Sequence, residues 1–159
     1  MFNVEYINPF IAATLQALEV MAQVRPKRGS PFLKTEHVSK GDISGVIGLA
    51  GEAVGSVAIT FSESLAKKIY AKMVGEEAGS LDENVRDAVG EIANMIAGGA
   101  KATLSQHGHS FKIAIPSIVV GKNHTIEHKG TGPCLVVPFE LEGETFWIEV
   151  SFQGAAGAG

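Results

Sequence analysis

Two carboxylates, a carboxamide and a glycine recur down one edge of a helical stretch: Asp87, Glu91, Asn94 and Gly98, at steps of four, three and four residues. At about 100° per residue these positions stack into one row, so they must be spatial neighbours. The row costs stability. Asp87 and Glu91 are like charges one turn apart, and Gly98 and Gly99 each cost roughly 1 kcal/mol relative to alanine in a helix interior. None of these groups is a strong nucleophile on a helix surface. A carboxamide, with one acceptor and two donors in a plane, can orient a water, and a carboxylate beside it can pair with a lysine of a partner. Orienting water matters most in phosphoryl transfer, where positioning and electrostatics supply nearly all the catalysis. The row suits half of an active site, completed by a phosphoprotein, with Gly98 leaving room for that partner to approach. The competing reading is an ordinary exposed helix face.

Other constellations carry less. His107 and His109 follow the helical stretch, where a cationic histidine is favourable at the negative end of the dipole. His124-Thr-Ile-Glu127-His128 matches H-x-x-E-H literally. Zinc chemistry from that motif needs a helix that puts both histidines on one face, and Thr-Ile between glycines is poor helix material. The expectation there is a solvated loop or edge strand and not a catalytic zinc site. Gly45, Gly48 and Gly51 lack both phosphate-loop spacings and lead into a strand, so no phosphate cradle is expected.

The helix that must carry the row spans Ser80 to His107, with a Ser80–Glu83 capping box at its start. Val85, Val89, Ile92, Ile96 and Ala100 form its apolar face. A first helix reads from Tyr6 to Val24, with Pro9 tolerable only in its first turn. Strands follow at Phe32–Ser39, Ile43–Ala50 and Val54–Phe61. Ser62 or Ser64 then caps a short helix, Leu65–Val74, that stops at Gly75. After the long helix come Phe111–Val120, an ill-defined stretch from Gly121 to Gly132, and a hairpin of Cys134–Leu141 with Thr145–Phe152. The tail from Gly154 to Gly159 is expected to be disordered, leaving residues 1–153 as one domain.

This order is internally repeated: a helix then three strands, twice, with the short helix between. The segment Gly48–Phe61 aligns over Phe139–Phe152 without a gap. Such a duplication predicts an α+β fold with two long helices in equivalent places against antiparallel sheet. Glu19 and Ala22 stand where the second helix has Glu91 and Asn94, so the polar row occurs once per chain.

The 159 residues, 45% apolar, suffice for a proper core. A net charge of -4 argues against broad nucleic-acid or anionic-membrane binding. No apolar run reaches the length of a membrane span and no signal-peptide pattern opens the chain, so a cytoplasmic protein is expected. The single cysteine, Cys134, lies in an apolar strand and reads as a buried small residue.

With those residues in place, Asp87-x3-Glu91-x2-Asn94-x21-Pro116 resembles the D/S-x3-E-x2-N-x21-P signature of the CheC/CheX/FliY family of chemotaxis response-regulator phosphatases. The Ile7-Asn8-Pro9-Phe10 opening and the single motif copy look like the CheX members, and the resemblance runs to about Phe152. It implies a CheC/CheX-like fold, a homodimer formed through strands, and hydrolysis of the aspartyl phosphate of a CheY-type regulator. It also implies roles: Asn94 aligns the attacking water, Glu91 pairs with the regulator's active-site lysine, Asp87 supports them, and Pro116 is structural. The Mg²⁺ of such a reaction comes with the regulator. The alternative within the same resemblance is a non-catalytic dimeric adaptor that binds a receiver domain.

Overall fold

The computed structural model describes residues 4–35, 40–52, 54–128 and 132–153. Helix α1 (Val4–Ala22) leads through short strands β1 (Lys27–Arg28) and β2 (Phe32–Leu33) to a long hairpin, β3 (Gly41–Gly51) and β4 (Val54–Phe61). Helices α2 (Glu63–Val74) and α3 (Glu83–Gln106) follow, then β5 (Phe111–Ile113), β6 (Ser117–His124) and a second hairpin, β7 (Cys134–Leu141) and β8 (Glu144–Gln153). The sheet runs β1-β7-β8-β4-β3-β5, with β2 also on β7 and β6 also on β3, and every pairing is antiparallel.

The two hairpins meet at the centre through β4 and β8. Ala58 lies opposite Glu149 there, and these are the two residues that the hairpin alignment makes equivalent. The repeat therefore closes on itself about this pair, with one hairpin on either side. Both long helices pack on one face of the sheet and against each other. Alternation along the strands sends Ile43, Ile47, Val57, Ile59, Val137, Ile148 and Val150 to that face, all buried. They meet the fully buried Val85, Ile92, Ile96 and Ala100 of α3 and Tyr6, Phe10 and Leu18 of α1.

Local chemistry sets the helix ends, and some differ from the sequence reading. Helix α3 begins at Glu83, capped by Asp82, whose carboxylate accepts from Val85 N at 3.0 Å. Ser80 is thus not the cap: two short polar residues compete, and Asp82 is the one followed directly by helical backbone. At its other end, Gly108 takes φ +87° while His109 N donates to Leu104 O and Gly108 N to Ser105 O, a Schellman closure. Helix α1 starts at Val4, so Pro9 sits in its second turn and not its first. Ser62 caps α2, and Gly75 ends it at φ +78°.

The strand expected at Phe32–Ser39 is reduced to Phe32–Leu33 within the described residues, and Lys27–Arg28 pairs with β7 as a further short strand. Residues 36–39 and the tail 154–159 lie outside the described residues. The strand expected over Phe111–Val120 is broken at Ala114–Pro116. Leu49 faces Ile113 and Val46 faces Ser117, so three residues oppose two: a bulge of one residue. Pro116 has no N–H for a ladder bond, which is why the pairing lapses here.

Candidate active site

The α3 face that carries the row is held in place from below. A Cβ on Gly45 of β3 would lie 3.0 Å from Ala93 Cβ and 3.4 Å from a Val89 methyl, so glycine there lets the helix settle close to the sheet. On the α1 side Gly99 does the same: its Cβ would lie 3.1 Å from Ala13 Cβ. On the other side the bulge packs against Gly90, whose Cβ would lie 3.6 Å from Ile118 Cδ1 and 4.0 Å from Pro116 Cγ. The helix is thus fixed on three sides, and its fourth side faces solvent.

Asp87 and Glu91 are exposed on that side, and Asn94 and Gly98 are half-buried. Among the described residues, none of Asp87, Glu91 and Asn94 engages its side chain in a hydrogen bond or ion pair. A Cβ on Gly98 would meet nothing within 4 Å. The row therefore presents unspent acceptors and donors on a rigid helix, beside a position where the chain's own atoms leave space. Structure brings Asp87, Glu91, Asn94 and Gly98 onto one face as the spacing predicts, and sets Pro116 beside that face through Gly90.

The four described histidines are committed to structure. His107 Nδ1 donates to Thr103 O at 3.0 Å, closing the last turn of α3, and His109 Nδ1 lies 2.9 Å from Glu52 Oε2. His124 ends the edge strand β6 and His128 lies beyond it, outside any helix as expected, but both are half-buried, not solvated. His124 Nδ1 lies 2.7 Å from Gly121 O, so it carries the proton, and Nε2 then accepts from Ser44 Oγ at 2.7 Å. Ser44 in turn lies 2.7 Å from Thr60 Oγ1, a chain of bonds across the outer face of the sheet.

His128 belongs to a second network on that outer face, one that the sequence does not reveal. Glu149 is 1% exposed, and its Oε1 accepts from Lys34 Nζ at 2.7 Å and from His128 Nε2 at 3.0 Å. Lys34 also donates to Ile126 O at 2.5 Å, and His128 Nδ1 lies 2.5 Å from Ser56 Oγ. Donor atoms of His128, Cys134 and Glu149 lie within 4.8 Å of one another, a spacing that invites a metal reading. The Lys34 ammonium already stands on the carboxylate as a charge-paired clamp, and burial followed by the Glu149 charge pushes the Cys134 thiol up to about 12. The clamp ties the segment before β7 to the sheet.

Two further carboxylates anchor the start of α2 from distant strands. Asp42 accepts from Glu63 N, at the start of α2, and from Asn123 N of β6. The Glu63 bond, partly opposed by burial, holds its carboxyl below the usual range. Burial raises Glu144, but Lys68, Ser62 and Ser64 together outweigh it and hold this carboxyl low.

Two helices on an antiparallel sheet, a central pairing of two equivalent hairpins and one free polar row on the second helix define a CheC-like protein. A structure of a CheC-like superfamily protein from Shewanella sp. PV-4 superposes with a TM-score of 0.91 at 47% identity, covering 96% of this chain and 100% of that one. The family model "Chemotaxis phosphatase CheX" matches residues 43–140. The CheY-P phosphatase CheX of Thermotoga maritima is 30% identical over 139 residues, 87% of this chain and 88% of that protein. CheX in a CheX-CheY-BeF3-Mg²⁺ complex from Borrelia burgdorferi is similar at 31% identity and a TM-score of 0.81, with 93% and 97% of the two chains covered. The chain belongs to the chemotaxis phosphatase CheX family.

Proposed function

We propose that this protein hydrolyses the aspartyl phosphate of a CheY-type response regulator, with Asn94 and Glu91 as the residues it contributes. The observation that carries the reading is the row itself: three polar side chains with no partner among the described residues, on a helix fixed from three sides. The relative from Borrelia burgdorferi forms a complex with CheY, which supports a receiver domain as the partner.

In this reading the carboxamide oxygen of Asn94 accepts a hydrogen bond from a water and holds it in line with the acyl-phosphate bond. The water oxygen bonds to phosphorus, the P–O bond to the aspartyl group breaks, and the electron pair leaves on the regulator's carboxylate. Inorganic phosphate and a free aspartate are the products. Glu91 pairs with the regulator's active-site lysine and orients the two proteins. Asp87, one turn away, supports the same face, and Gly98 admits the partner. Pro116 holds the bulge against Gly90 and keeps the row's flank fixed. Mg²⁺ is supplied by the regulator, so none of this chain's residues is asked to ligate it.

A homodimer through strands and a cytoplasmic location belong to the same reading. Strand β6 pairs only with β3 among the described residues, which leaves its outer edge available to a second copy. No described helix is long and apolar enough to cross a membrane.

The test is dephosphorylation of phosphorylated CheY-type regulators by wild type beside an Asn94→Ala/Glu91→Ala variant. Removing the water-orienting group should lower the accelerated rate by ~10² or more, about 2.7 kcal/mol of barrier. Acceleration by both proteins alike would sink the mechanism. Binding without acceleration would leave a receiver-domain adaptor.

A further inference from the structure

Ile115 is 88% exposed, the most exposed large apolar side chain among the described residues. It lies in the bulge, directly before Pro116, which packs on α3 at Gly90. A bulge re-aims side chains, and this one turns an isoleucine outward at the flank of the Asp87–Glu91–Asn94 row. An isoleucine that served only as strand filler would follow the alternation of its neighbours into the sheet.

The opposite flank carries a second such residue. Helices α1 and α3 run antiparallel, since Ala13 approaches Gly99 while Asn8 and Pro9 share a cleft with Thr103 and His107. Seven residues on from Ala13 is Val20; seven back from Gly99 is Ile92, between Glu91 and Asn94. At about 1.5 Å per residue both steps cover the same ~10 Å, so Val20 stands level with the row. It is 62% exposed.

We propose that Ile115 and Val20 are docking residues that grip the receiver domain on either side of the polar row. Recognition would then rest on side chains other than those that act on the phosphoryl group. The occupant follows from continuity: both residues border the face on which the receiver must sit for Asn94 to reach its phosphate, so this inference rests on the phosphatase reading. An aspartate at either position would have to be desolvated on docking, which opposes binding.

The experiment is steady-state dephosphorylation over a range of phosphorylated-regulator concentrations, with Ile115→Asp, Val20→Asp and Ile115→Leu. Leu33→Asp serves as control: it is 53% exposed on β2, at the far edge of the sheet from β6. Each flank aspartate should raise KM about tenfold with kcat near wild type, while Ile115→Leu and Leu33→Asp keep the wild-type KM. Thermal melting verifies that the variants fold. A KM for both Ile115→Asp and Val20→Asp equal to that of Leu33→Asp overturns the proposal. Titration with the BeF3⁻-loaded regulator reads docking without turnover. If wild type binds but does not hydrolyse, the phosphatase reading falls, and the Kd values of the same variants still decide the docking proposal.

Discussion

Pro116 Cγ lies 4.0 Å from the position that a Cβ on Gly90 would take, one residue before Glu91. This contact joins the bulge to α3, so two segments more than twenty residues apart meet at the flank of the row. The spacing of that gap in the signature has a physical meaning: α3 must run to its Schellman end, turn, and return along β3 before Pro116 reaches the level of Gly90.

Gly90 itself is not required by that contact. A methyl group would sit in ordinary van der Waals range of Ile118 and Pro116. Gly90→Ala should therefore fold, gain up to about 1 kcal/mol from helix propensity, and keep its activity. Urea denaturation measures the gain. A loss of stability would show that the bulge sits too tightly on the helix for even one methyl.

Gly98 separates the needs of the fold from those of the partner. No atom of the chain stands within 4 Å of its missing Cβ. Gly98→Ala should raise stability by about 1 kcal/mol, and in the proposed complex it should slow regulator dephosphorylation by crowding the approach. Higher stability with unchanged turnover would remove Gly98 from the partner surface. Gly99→Ala, which faces Ala13, should not give the same gain.

The sequence was informative where one local pattern sufficed. The apolar face of α3 and the two central hairpins, including Val54–Phe61 and Cys134–Leu141, follow from periodicity and turn residues. The row on α3 follows from helical spacing alone. What escaped depends on distant partners. Asp42 caps α2 from twenty-one residues away, which no window along the chain shows. Glu149 occupies an outward strand position, yet Lys34 and His128, distant in the chain, cover it. The bulge at Ala114–Pro116 escaped because a proline within an apolar run marks a lapse in pairing without saying which way the neighbouring side chain will turn.

The Lys34–Glu149 pair should be costly to break from one side. With Glu149 1% and Lys34 16% exposed, Lys34→Met leaves a buried carboxylate that keeps only part of its compensation. A loss of about 3 kcal/mol is expected, read as a lower urea midpoint. Lys34→Met/Glu149→Met removes both charges and should recover part of that loss. Equal stability of Lys34→Met and wild type would mean that His128 alone satisfies the carboxylate.

Acid stability should depend on Asp42 and Glu144, whose folded carboxyls are both held below their ordinary values. For such groups the unfolded chain takes up protons first. Their contribution is fully present above the unfolded values of about 3.9 for aspartate and 4.3 for glutamate, and it is lost as pH falls through the lower folded values. Wild-type stability should thus fall on acidification through that range. Asp42→Asn cannot titrate and offers one acceptor oxygen to two N–H donors, those of Glu63 and Asn123, so it should be less stable at neutral pH. Its pH dependence between about 5 and 3 should also be shallower than wild type, because one proton-linked group is gone. Unfolding midpoints measured at pH steps across that window give both quantities. A variant curve parallel to wild type would show that Asp42 contributes no proton linkage.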